Sequence, residues 1–131
     1  MKIITLLEIA DWLAEKLSFE EVTAGNMDAS KERAIGVYQR EPFTPRKCIG
    51  GTESYQTVKL RILVHWTDNP TKAEIKANEI AEMVENLYEA ATAEHIMRFA
   101  EVKAVRSIGK DEKGIIEWIV DTDIIYMDKE E

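Results

Sequence analysis

The chain has one cysteine, Cys48, in 131 residues. A single thiol makes no internal disulfide, so the sequence points to a reducing compartment rather than a stapled secreted scaffold. Its three prolines and six glycines are too few for a collagen-like or low-complexity chain. There are only two histidines, His65 and His95, with no cysteine pair and no His-x-x-x-His spacing, which leaves zinc without a ligand set. Cations are also short: 17 Lys and Arg against 25 Asp and Glu give a net charge of −8. A general nucleic-acid binder needs a basic patch to neutralise phosphates, so that class is set aside. No apolar run approaches the ~18 residues of a membrane span. The opening Met1-Lys-Ile-Ile-Thr-Leu-Leu7 is broken by Glu8 and Asp11 and lacks a small-residue cleavage site, so it is not read as a signal peptide.

What remains is a globular composition, 45% hydrophobic and 32% charged, of a length that suits one domain over residues 1–131. Ile3, Leu6, Leu7, Ala10, Leu13, Ala14 and Leu17 recur at spacings of three and four. They predict a helix over 3–17, started by Lys2 and Thr5 without a strong cap. Asn69-Pro-Thr71 opens a second predicted helix over 70–91, with Thr71 and Glu74 at capping-box spacing. Period-two alternation predicts strands over 33–40 and 54–66. Two further strands, 95–108 and 114–127, flank the polar tip Gly109-Lys-Asp-Glu-Lys-Gly114, a hairpin signal. The tail from Asp128 reads as frayed. The expectation is an α+β fold of two layers: an antiparallel or mixed sheet of about four strands with two helices on one face.

Chemistry is hard to find. Cys48 lies beside Arg46 and Lys47, which favours a thiolate, but no base is near in sequence, so a small half-buried residue is the better reading. Glu117, Asp121 and Asp123 share a strand face and invite a Mg²⁺, Ca²⁺ or glycosidase reading. A solvated acidic face is the simpler one. Gly50-Gly51 precedes a strand, not a helix, and is a turn rather than a phosphate loop. Trp12, Trp66 and Trp118 read as core or interface anchors.

The segment Glu41-Pro-Phe-Thr-Pro-Arg-Lys-Cys-Ile-Gly-Gly51 is distinctive: two prolines, an apolar Phe43 and the basic pair Arg46 and Lys47 on an acidic chain. It reads equally as a docking arm or as an ordinary covering loop. Candidate contact residues are Arg40, Phe43, Arg46, Lys47, Lys110, Lys113, Asp121 and Asp123. Two other readings stay open. One is an interaction module working as a monomer or dimer. The other is a ligand-binding domain or enzyme with a pocket at His65, Trp66 and Asp121.

The order of these parts resembles the tail-terminator and minor-capsid proteins of tailed bacteriophages and prophages. The resemblance lies in the leading amphipathic helix, Gly25-Asn-Met-Asp28, Ala34-Ile-Gly-Val-Tyr38, Cys48-Ile-Gly-Gly51, Ile62-Leu-Val-His-Trp66, the Ala- and Glu-rich helix, and the closing strand with Glu117 and Asp121. It covers nearly the whole chain. It implies a virion structural protein with no cofactor and no catalysis. Such a protein forms a ring, commonly of six subunits, at the head-proximal end of the tail. Its partners are further copies, the tail tube and head-completion proteins. It does not contact nucleic acid or membrane directly, and it is made in the bacterial cytoplasm. By the same analogy, contacts fall on residues 41–51 and 109–114.

Overall fold

The computed structural model describes residues 2–45, 47–48, 51–52 and 55–129, the two short pieces by backbone alone. The elements run α1 (Leu6–Leu17), β1 (Val22–Ala24), β2 (Arg33–Gln39), β3 (Lys47–Cys48), β4 (Gly51–Thr52), β5 (Gln56–Trp66), α2 (Pro70–Glu85), β6 (Tyr88–Ala91), β7 (His95–Lys110) and β8 (Ile116–Asp128).

The main sheet has six strands in the order β1-β2-β5-β8-β7-β6, and β3 with β4 makes a separate two-stranded ribbon. The mixed α+β architecture is as expected, but the sheet is larger than the four strands read from the sequence. Two short edge strands account for the difference. Strand β1 has only three residues and pairs parallel to β2, too short to show alternation. Strand β6, Tyr-Glu-Ala-Ala, carries helix-forming residues that continue the composition of the helix before it. The second helix was therefore read to residue 91. It ends at Glu85, with Asn86 as its C-cap, and β6 then pairs antiparallel with β7.

Both helix starts also differ from expectation for local reasons. Thr5 caps α1 in a full capping box: its hydroxyl accepts from Glu8 N at 3.2 Å while Glu8 Oε2 accepts from Thr5 N at 3.0 Å. Ile4 and Ile9, the positions of a hydrophobic staple, are both buried. Helix α2 is capped by Asn69, whose side chain accepts from Lys72 N at 3.1 Å, and not by Thr71. Pro70 then takes the first helical position, where no N–H is needed.

One face of β2, β5 and β8 forms the floor of the core. Val58, Leu60, Ile62, Val64 and Trp66 alternate inward from β5, and Val120, Thr122, Ile124 and Tyr126 from β8. Ile9, Ala10 and Leu13 of α1 and Ala73, Ala77, Ile80 and Val84 of α2 close the same core. Three register shifts along β7, between Met97 and Phe99, Val102 and Ala104, and Ser107 and Gly109, bend the long hairpin. Gly109, at φ +105°, sits at the last of them. The curled sheet brings its β6 side back towards α1, which itself lies on β1 and β2. Gly36 permits a close approach on β2: a Cβ there would stand 2.6 Å from the Tyr38 ring, whose hydroxyl accepts from Met27 N at 3.1 Å. Asp128, read as the start of a frayed tail, instead ends β8 and accepts from Lys2 N at 3.3 Å.

Trp66 closes the core beside the second helix. It is 8% exposed, with Phe19 edge-on at 5.1 Å and the Lys76 ammonium 4.7 Å from its ring centre. Replacing Trp66 by Ala is expected to cost about 3–5 kcal/mol, read as a lower urea midpoint. A midpoint equal to the parent's would contradict this packing.

Candidate assembly surface

The face of the sheet away from the helices carries the chemistry that the sequence flagged. Arg61 on β5 and Asp121 on β8 are register partners. They form a two-point ion pair, Arg61 Nε to Asp121 Oδ1 at 2.8 Å and Nη2 to Oδ2 at 3.0 Å. That pairing, working against burial, holds the Asp121 carboxyl below the usual range. Two register pairs further along, on the same face, Lys59 faces Asp123, and Asp123 is claimed by Arg40 at 2.6 Å. Glu117 stands opposite His65. Asp121 and Asp123 are thus each taken up by a guanidinium, and Glu117 stands at a separate register position. Among the described residues no group of three or more His, Cys, Asp or Glu is placed to hold a metal ion.

Arg40 follows β2 directly and is largely buried. Its guanidinium bonds Asp123 and Glu41 and also donates to the Leu60 and Thr122 carbonyls at 3.3 and 3.4 Å. It clamps the start of the long loop onto β5 and β8. Phe43 is half-buried and packs against the core. Glu41, Pro42 and Thr44 then overhang Thr57, Lys59 and Asp123, enclosing a cleft of about 540 Å³. Arg46 lies outside the described residues, and Lys47 enters the β3–β4 ribbon.

The hairpin tip is built on Asp111. One carboxylate oxygen accepts from Lys113 N and Ile115 N, each at 2.9 Å, and the other lies 2.8 Å from His65 Nε2. The hydrogen bond from His65, added to those two, keeps the Asp111 carboxyl below its ordinary range. Lys110 and Lys113 stay exposed on either side. His65 and Trp66 are adjacent on β5 and buried on opposite faces, and His65 turns to Asp111 rather than Asp121. The His65, Trp66 and Asp121 side chains therefore do not converge on a pocket.

The sequence matches the family described as Bacteriophage tail terminator protein over residues 5–127. The chain belongs to the bacteriophage tail terminator family. None of the curated proteins matches it. One similar solved structure is 14% identical, covering 95% of this chain and 89% of that chain, with a TM-score of 0.42; at that score the likeness carries no functional weight. As a member of a tail terminator family, the protein is a phage tail structural component. Among its described residues no helix is long and apolar enough to cross a membrane.

The terminator's most connected polar group was not singled out from the sequence. Glu8 is buried at the start of α1. Oε1 accepts from Thr92 Oγ1 at 2.9 Å and Glu94 N at 3.0 Å, and lies 2.9 Å from His95 Nδ1. Oε2 serves the capping box. His95 is fully buried, and its Nε2 lies 2.9 Å from the Lys2 carbonyl. From sequence this helix is given no strong cap, which passes over the Thr5-x-x-Glu8 spacing; nothing local announces the bond of Glu8 to residues almost ninety positions away.

Burial pushes the Glu8 carboxyl up, but hydrogen bonds from His95, Thr5, Glu94 and Thr92 outweigh it and bring it down from 4.5 to about 2. A carboxyl lowered on folding stabilises the fold above its unfolded value. That stability drains as pH falls through the folded value. The expected loss from this group is on the order of 3 kcal/mol between pH 4.5 and 2. Melting curves of Glu8→Gln should start lower at pH 7 and fall less over that window. A parallel pH dependence would contradict the assignment.

Proposed function

We propose that this terminator assembles as a ring of like subunits at the head-proximal end of the tail, ends the tube there and presents a surface to the head-completion proteins. The observation that carries this reading is the family match over residues 5–127. The outer sheet face supports it. Leu63 and Ile125 on that face are only half-buried and alternate with ion pairs, as on a surface that a neighbour covers.

Within that reading, the loop 41–51 and the hairpin tip 109–114 contact neighbouring subunits or tail proteins. Phe43 and Arg40 root the loop, whose sequence goes on to the basic pair Arg46 and Lys47. Lys110 and Lys113 give the tip the same sign. Asp123 holds the start of the loop through Arg40, and Asp121 ties β8 to β5 through Arg61. On a chain of net charge −8, local cations meet acidic surface on the next copy. The protein works through contacts, without catalysis or cofactor, in the virion at the head–tail junction after synthesis in the host cytoplasm.

The double charge reversal Arg46→Glu with Lys47→Glu tests the loop's role. Sedimentation should show weakened association with an unchanged circular dichroism spectrum. Association equal to the parent's would remove the loop from the interface.

A further inference from the structure

The curl of the sheet leaves a seam. Strand β6 ends the sheet on one side, and α1 faces it across a cleft of about 530 Å³ floored by Trp12, Met83, Leu87 and Ala90 with Tyr88 on the lip. Tyr88 is 78% exposed, an unusual position for a large aromatic ring.

Helix α1 also carries an apolar side chain that the described residues leave mostly uncovered. Leu7 is 59% exposed, four residues beyond Ile3, which is 54% exposed. At about 100° per residue, Leu7 and Trp12 lie about 140° apart around the helix axis. The projecting leucine and the cleft therefore occupy different flanks of one helix and cannot meet within a subunit.

Their charges are matched. Asp11 is exposed on the flank between Leu7 and the cleft, while Lys2, before Ile3, is already paired with Glu94 at 3.4 Å. The cleft rim offers Lys16 and Glu15, both exposed, together with Glu89, which is already paired with Arg98 at 2.8 Å. The acid beside the leucine, Asp11, thus has an opposite charge at the rim in Lys16.

We infer that the Leu7 flank of one subunit seats in the Trp12–Tyr88 cleft of the next, so that the partner at this surface is a second copy of the chain. Because the two patches differ, the contact is heterologous: it runs head to tail and closes only as a ring. This rests on the ring reading above and adds the surfaces that would make it.

The test uses two exposed positions whose substitution spares the core, Leu7→Glu and Tyr88→Glu. Light scattering over a concentration series should show the parent as a multi-subunit species. Each variant should associate at least about tenfold more weakly, because a carboxylate is forced into an apolar contact. Mixed together, the variants should form a dimer and nothing larger. The intact Leu7 flank of Tyr88→Glu fits the intact cleft of Leu7→Glu, and the remaining two surfaces are spoiled. Parent-like association of both variants, with the parent forming a ring, overturns the surface assignment and leaves the ring reading standing. Failure of the mixture to dimerise while each variant is monomeric also overturns the head-to-tail pairing. A parent that stays monomeric at every concentration overturns the assignment and removes ring formation by the protein alone.

Discussion

The buried carboxylate of Glu8 holds the molecule's two ends together. It caps the first helix through Thr5 and fastens that helix to the turn between β6 and β7 through Thr92, Glu94 and His95. A charge so nearly excluded from water is tolerated only when its lone pairs are fully used, and here they are. The consequence is positional. Helix α1 rests on β1 and β2 by apolar packing, yet its first turn is pinned to the opposite side of the sheet. That constraint fixes the curl and leaves the seam between α1 and β6.

The outer face obeys a second constraint. Arg61 with Asp121 links the neighbouring strands β5 and β8, and Arg40, just after β2, reaches across β5 to Asp123 on β8. Asp121 and the Arg40–Asp123 pair are mostly withdrawn from water, so these pairs specify register and loop position more than they add stability. They show where residues that look like a metal or catalytic cluster in sequence spend their charge: Asp121 and Asp123 are each taken up by a guanidinium. A rigid sheet with a clamped loop suits a tail structural protein.

Much of this was legible in the residues. The alternation of Val58, Leu60, Ile62 and Val64, the three-and-four spacing of Leu6, Ala10, Leu13 and Leu17, and the glycine-bounded tip at 109–114 each gave the right element. The misses share a cause: strands β1 and β6 are short and owe their state to their neighbours, not to their own propensity. Asn69 and Thr71 both offered a cap for α2, and the backbone chose the one that lets Pro70 stand first. The candidate contacts at Arg40, Asp121 and Asp123 were seen as charges on an acidic chain. Their partners, up to 83 positions away, belong to the topology and leave no local trace. Leu7 belongs to the apolar spacing of the first helix and Tyr88 falls within the predicted second helix; only the fold exposes them.

The most direct test of the account is the mass of the purified terminator over a wide concentration range, with negative-stain images of the largest species. The account predicts a closed ring of several subunits whose size stops growing once formed. A strict monomer that neither closes into a ring nor caps isolated tail tubes would contradict it.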